Sequence, residues 1–279
     1  GMTRFLMDLK PTTIHDINAM VALYRPGPMQ FIPDYIARKH DPKKIRYLDP
    51  ALEPILQKTY GILVYQDDLL IMVNRLAGYS WGEVDKFRKA VGKKIPAEME
   101  AQRENFIKGV VKNSKWSEKK ATELWTWIEP FAAYGFNKAH SVSYGFIAYQ
   151  TAYLKANFPG EYMTAVLTEE LGEVEKVASS IKECKRMGIS VLPPNINESF
   201  KDFTLIKDGN LPAARLQESG QASFNSTAQA GKDTIRFGLG SIKNFGEGIA
   251  QIIIDERKKN GRFSSLANFL KRIKNRNLN

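Results

Sequence analysis

The chain has one cysteine, Cys184, and three histidines in 279 residues. A lone thiol excludes an internal disulfide framework and any zinc site built on cysteines. Cys184 falls on the apolar face of an expected helix, a buried and inert position. No apolar run approaches the roughly 20 residues that a membrane-spanning helix needs, and no signal peptide opens the chain. The expectation is therefore a cytoplasmic protein that does not enter a membrane. Asp-x-Asp is also missing; on a strand that spacing would set two carboxylates on one face to hold a pair of metal ions. Asp67 and Asp68 are adjacent and diverge on a helix, while Glu98/Glu100 and Glu173/Glu175 read as solvated helix faces. No metal ligand is assigned. Acid is scarce overall: 30 Asp and Glu stand against 41 Lys and Arg, a net charge of +11. Such an excess points to a polyanionic partner, nucleic acid or an anionic membrane surface.

What is present is mostly helical. Thr12 or Thr13 can cap a helix with Ile14, Ile17 and Val21 on one face, stopped by Arg25-Pro-Gly-Pro28. Short helices follow at 33–39 and 51–58, with Ile62 to Val64 as a brief strand. Residues 66–77 read as a helix stopped by Gly78. Ser80 and Glu83 have capping-box spacing, and the helix they open ends at Gly92. Pro96 starts another and Ser117 caps the next, with Ala121, Leu124, Trp125 and Ile128 at core spacing and Pro130 ending or kinking it. Further helices are expected at 160–171 and 173–187, the latter amphipathic through Val174, Val177, Ala178, Ile181, Cys184 and Met187. Short strands then appear at 189–192, 203–206 and 234–237, around a turn signal at Asp208 and a loop near 211–233 poor in large apolar residues. The fold class is mainly α (α+β overall), divided as 1–172, 173–237 and 238–279.

Two basic regions stand out. Lys86, Arg88 and Lys89 lie in the last part of the helix opened by Ser80, where cations also suit the helix dipole of a plain solvated end. The other region is the densest polar stretch, Phe131-Ala-Ala-Tyr-Gly-Phe-Asn-Lys-Ala-His-Ser-Val-Ser-Tyr144. Asn137 can N-cap the helix that follows, leaving backbone N–H groups and a dipole that favour an anion. Lys138 and His140 sit in that first turn, where cations are disfavoured unless an anion such as phosphate is bound. The alternative is an ordinary helix start. In the tail, Leu239 to Ile254 places a tight turn between two helix-like pieces; its glycines let backbone N–H groups approach a phosphate. Beyond Glu256 there are eight Lys or Arg residues and no acid.

Several ordered motifs resemble one family. They are Ala22-Leu-Tyr-Arg-Pro-Gly-Pro-Met29, Tyr60-Gly-Ile-Leu-Val-Tyr-Gln66, Gly78-Tyr-Ser80, Arg88-Lys-Ala-Val-Gly-Lys-Lys94 and Tyr134-Gly-Phe-Asn-Lys-Ala-His140. Tyr149 to Lys155, Cys184 to Gly188, Leu192 to Asn197 and the hairpin at 239–254 complete the set. Together they resemble the alpha subunit of bacterial DNA polymerase III, a C-family replicative polymerase, over its fingers region and the start of its helix-hairpin-helix segment. The resemblance implies a helical fingers domain that binds the incoming deoxynucleoside triphosphate through Arg88, Lys89, Tyr134, Asn137, Lys138 and His140. It implies primer–template DNA binding through Lys243, Asn244, Gly246, Gly248, Arg257 and Lys258. It implies magnesium held by palm aspartates that this chain lacks, and palm, thumb and replisome subunits as partners. The segment alone is expected to be an inactive, excised part of a nucleotidyltransferase. Three departures are visible: Lys89 where the family more often has Arg, Ala139 where many relatives have Ser, and Asn244 at the first glycine of the hairpin. Two rival classes are a free-standing DNA-binding module and a complete phosphotransferase with His140 as base.

Overall fold

A computed structural model describes residues 1–93, 95–132, 135–207, 233–243, 245 and 247–274. Packing divides the chain into two compact units, residues 1–150 and 151–279.

The first unit is helical. Its elements are α1 (Met2–Leu9), α2 (Ile14–Leu23), α3 (Ile32–His40), α4 (Glu53–Leu56), α5 (Gln66–Ala77), α6 (Trp81–Lys93), α7 (Pro96–Ser114), α8 (Glu118–Ala132) and the start of α9 (Lys138–Asn157). Local chemistry sets the boundaries. The Thr13 N–H donates to Asp16 Oδ2 at 3.2 Å to start α2. The Ser80 N–H donates to Glu83 Oε2 at 2.8 Å at the start of α6. α5 stops at Gly78, whose φ of 73° is the left-handed region that glycine adopts without strain. The freed carbonyls of α5 are taken from the end of α7: Asn113 Nδ2 donates to Arg75 O at 2.9 Å, and Ser114 Oγ to Leu76 O at 2.7 Å.

Two apolar cores fill this unit. One lies among α4 to α8 around Phe87, Phe106 and Trp125, whose rings sit 5.6–6.5 Å apart. Trp127 packs at its margin, so the Trp125/Trp127 pair serves packing. The other core joins α1, α2 and α3 to Ile62, Val64 and Tyr65.

The second unit contains α10 (Pro159–Glu169), α11 (Val174–Arg186), β1 (Ser190–Leu192), β2 (Thr204–Ile206), β3 (Thr234–Arg236), α12 (Glu247–Asn260) and α13 (Leu266–Arg272). The sheet order is β1-β3-β2. β1 runs parallel to β3 with Val191 opposite Ile235; β2 runs antiparallel with Leu205 opposite Ile235. α10 and α11 supply Met163, Leu167 and Cys184 to the core beneath the sheet. Cys184 is fully buried, and that burial raises its thiol pKa. α12 and α13 close a separate core with Leu239, Ile253 and Phe269.

Several expectations are corrected. Residues 62–64 form no strand; they are buried, extended chain ending in a single parallel bridge between Tyr65 and Phe136. α2 does not bury the Ile14/Ile17/Val21 face, which is half-exposed. It buries Asp16, Ala19, Met20 and Leu23 instead, because Asp16 is drawn inward by hydrogen-bond donors. α6 runs through Gly92 to Lys93, and α8 continues past Pro130 to Ala132. Val174 is 80% exposed and Ala178 is exposed too, both outside the core that Val177, Ile181, Cys184 and Met187 enter. The first helix-like piece of the hairpin is a single 3-10 turn, Leu239–Ser241. The turn at Asp208 and most of the loop after it lie outside the described residues.

Candidate nucleotide and nucleic-acid interface

The start of α9 is built against the start of α5. The Gln66 N–H donates to Phe136 O at 2.9 Å, and the Tyr65–Phe136 bridge lies beside it. Asn137 caps α9: its Oδ1 accepts the His140 N–H at 2.8 Å, and its carbonyl accepts the Ser141 N–H at 3.1 Å. Ser141 is buried and its hydroxyl donates to the Asn18 carbonyl of α2.

Lys138 faces two carboxylates. Its backbone N–H donates to Asp67 Oδ2 at 2.9 Å, and its Nζ donates to Asp68 Oδ1 at 2.8 Å. The expected divergence of Asp67 and Asp68 does not separate them functionally, because Lys138 offers donors in two directions. The cation near the helix dipole is thus already compensated by Asp68. That carboxyl is only 2% exposed. Burial raises its pKa more than Lys138 lowers it, and the net shift is upward. His15, on α2, is held below its ordinary value by desolvation first, then by Lys58 and Lys138.

His140 is exposed between two rings, 5.4 Å from Phe136 and 4.6 Å from Tyr144. The Arg25 guanidinium lies 4.3 Å from the centroid of the Phe136 ring. Arg25 was visible in the sequence as part of a turn and of the Ala22–Met29 motif; a guanidinium meeting a ring 111 positions later leaves no local signal.

Arg88 and Lys89 stand together on the exposed side of α6, both bound to Asp85: Arg88 Nη2 at 2.8 Å and Lys89 Nζ at 2.7 Å. Those partners hold the Asp85 carboxyl below its usual range. No hydrogen bond or ion pair joins this pair to Asn137, Lys138 or His140. Tyr134 lies outside the described residues.

In the second unit, Lys243, Gly248 and Lys258 are exposed. A Cβ on Gly248 would meet nothing within 4 Å, so its backbone is open to approach. Asn244 and Gly246 lie outside the described residues. Arg257 turns inward: Nη1 donates to Ile196 O at 2.8 Å, and the guanidinium lies 5.5 Å from the Phe200 centroid. Desolvation first, then Arg262, lowers its pKa. Arg272 is likewise internal, bonded to Glu256 and to the Gly261 carbonyl at 2.8 Å.

The acids here do not fit a magnesium site. Asp67 and Asp68 are taken up by Lys138, and Asp85 by two cations. Among the described residues no group of three or more His, Cys, Asp or Glu side chains could hold a metal ion. No helix among them is long and apolar enough to cross a membrane.

Residues 1–114 match the bacterial DNA polymerase III alpha subunit finger domain, and residues 188–279 match a helix-hairpin-helix motif. The chain thus combines a match to a polymerase finger domain with a match to a helix-hairpin-helix motif. The relatives extend that over the whole chain. DNA polymerase III subunit alpha of Borreliella burgdorferi is 41% identical over 279 residues, 100% of this chain and 22% of the relative. The Thermus aquaticus subunit is 41% identical over 98% of this chain and 21% of its own length. The Aquifex aeolicus subunit is 41% identical over 100% of this chain and 22% of its own. Over its whole length the chain is similar to bacterial DNA polymerase III alpha subunits, and it spans about a fifth of the length of these relatives.

Proposed function

We propose that this chain serves a replicative, DNA-directed DNA polymerase by binding the incoming deoxynucleoside triphosphate and the primer–template duplex. The observation that carries the reading is the exposed edge at the start of α9. There Asn137 and His140 stand on a backbone fixed by α5, in a molecule whose relatives are polymerase subunits. In this reading Arg88, Lys89 and Lys138 supply positive charge to the triphosphate. Tyr134 faces the base or sugar, and Asn137 and His140 donate hydrogen bonds to phosphate or sugar. Their contribution is electrostatic positioning: fixed cations aimed at the oxygens that gain charge during phosphoryl transfer lower the barrier.

Lys243, Asn244, Gly246, Gly248 and Lys258 would meet duplex phosphates, contacts that fix position without reading sequence. Arg257 contributes by holding this surface together. Magnesium would come with palm residues outside this chain, as would the thumb and replisome partners, in the cytoplasm. Residues 1–172 act as the fingers, 173–237 as a connector, and 238–279 as the duplex grip.

Two measurements test the proposal. Titration of the 279-residue chain with dATP, followed by NMR, should give saturable shifts at Asn137 and His140; no saturable shift overturns the nucleotide assignment. A primer-extension assay with magnesium should show no incorporation by the chain alone, and template-dependent extension would overturn the division of labour.

A further inference from the structure

Arg88 and Lys89 share Asp85, and Lys138 is bound to Asp68. Each of these cations must be drawn from a carboxylate before it can serve a ligand fully. Arg25 is different. It is exposed, and among the described residues no carboxylate lies within ion-pair distance of it. It is nevertheless held in place. Its backbone enters the Pro26-Gly27-Pro28 turn, where Gly27 has a φ of 98° and the prolines restrict the chain on either side. Its guanidinium lies 4.3 Å over Phe136, and Phe136 is pinned by the bridge to Tyr65 and the Gln66 N–H. A guanidinium held over a ring by cation–π attraction still has N–H donors to offer, and its planar fork matches phosphate oxygens. The same Phe136 ring meets His140, which in turn meets Tyr144.

We infer that Arg25 is a further binding residue for the triphosphate, and that Phe136 is the positioning residue that holds Arg25 and the His140 ring beside one another. This rests on the nucleotide reading of the α9 edge. It adds a cation that is preorganised and, among the described residues, free of any ion pair before the ligand arrives, from a turn distant in sequence.

Three probes separate the sources of phosphate: inorganic triphosphate, dATP and a primer–template duplex, each titrated into the 279-residue chain. Arg25→Gln should weaken inorganic triphosphate and dATP by about tenfold or more, the scale of one charged hydrogen-bonded contact. Duplex affinity should stay unchanged. Arg25→Lys should recover only part of the loss, since the charge returns without the fork. Phe136→Leu should weaken both triphosphates and shift the His140 ring resonances in the absence of ligand; Phe136→Tyr, which keeps the aromatic face, should do neither. Circular dichroism checks that each variant is folded. If Arg25→Gln binds triphosphate like the parent while Arg88→Gln or His140→Gln binds it weakly, this inference fails and the nucleotide site stands. If none of the three weakens binding, the site reading fails and takes the inference with it. If Arg25→Gln weakens only the duplex, the guanidinium belongs to DNA and the inference is overturned.

Discussion

Lys39 places its ammonium 2.8 Å from the Asp16 carboxylate, and both side chains are out of water, 7% and 0% exposed. Tyr60 donates to the same carboxylate at 2.7 Å, and the Thr12 N–H donates at 3.0 Å. One buried acid thus ties α2 to α3 and to the chain leading into α5. Burial works to raise its pKa, but the bonds from Lys39, Thr12, Tyr60 and Thr13 outweigh burial and leave it lowered. Asp16→Asn should cost about 3–5 kcal/mol, because it strands the Lys39 charge in the interior. The sign with pH follows. A lowered folded pKa gives stability present above the unfolded value, about 3.9, and lost as pH falls through the folded value. Urea unfolding from pH 6 downward should show the parent losing stability faster than Asp16→Asn. Equal stability of the two at neutral pH would sink the argument.

Asp68 should behave in the opposite way. Its carboxyl is also buried, yet its pKa is raised, since Lys138 alone does not outweigh desolvation. A raised folded pKa gives stability present below the unfolded value and lost as pH rises through the folded one. Asp68→Asn should therefore cost about 1 kcal/mol or less at neutral pH, because Lys138 is 35% exposed and its charge is not stranded in the interior when Asp68 is neutralised. The same urea series decides it: a cost matching that of Asp16→Asn would show that the Lys138 pair is as strong as the Lys39 pair.

The contrast between these two acids shows where sequence reasoning reached and where it stopped. Caps, stops and apolar stripes are local, so the Ser80 box, the Gly78 stop, the Asn137 cap and the Ile235 strand were legible from neighbours alone. Asp16 was not. On α2 the stripe of Ile14, Ile17 and Val21 suggested one inner face, but donors 23 and 44 residues away turned another face inward. Arg25 over Phe136 and Asp67 on Lys138 leave no local signal for the same reason: their partners come from segments distant in sequence. The motif at 131–144 drew attention through its density, while its supports in α2 and α5 carried no pattern of their own.

At Gly145 α9 passes close to α2. A Cβ there would run into Asn18 Oδ1, a buried oxygen with no hydrogen-bond partner among the described residues. Gly145→Ala should destabilise the chain by about 1–3 kcal/mol, the usual cost of overpacking. In an Asn18→Ala background the added methyl has room, and the same substitution should cost much less. A thermal-melt double-mutant cycle measures the coupling; additive effects would mean that the helices separate freely at this point.

Asp85 competes with any ligand of Arg88 and Lys89. Asp85→Asn removes the shared charge while keeping the size of the side chain. Exposed ion pairs are weak, so the gain should be modest: triphosphate affinity should rise about two- to fivefold. Calorimetry on the chain and the variant at low salt reads the change directly. A fall in affinity would mean that Asp85 orients the pair toward the ligand, and that its charge assists binding.

The basic tail divides by burial into cations that build the surface and cations that could use it. Arg257 donates to the Ile196 carbonyl and Arg272 to Glu256 and the Gly261 carbonyl, while Lys258, Lys259, Lys271 and Lys274 are exposed. Arg257→Gln should therefore lower stability by about 1–3 kcal/mol, because a half-buried carbonyl loses its charged donor. Its effect on DNA should follow from that loss. Lys258→Gln with Lys259→Gln should leave the melting curve unchanged and weaken duplex binding uniformly across sequences. It should also reduce the log–log salt slope by about 0.9 for each phosphate contact removed. An unchanged slope, with the fold intact, would take these lysines off the DNA and leave Lys243 and the hairpin backbone as the remaining candidates.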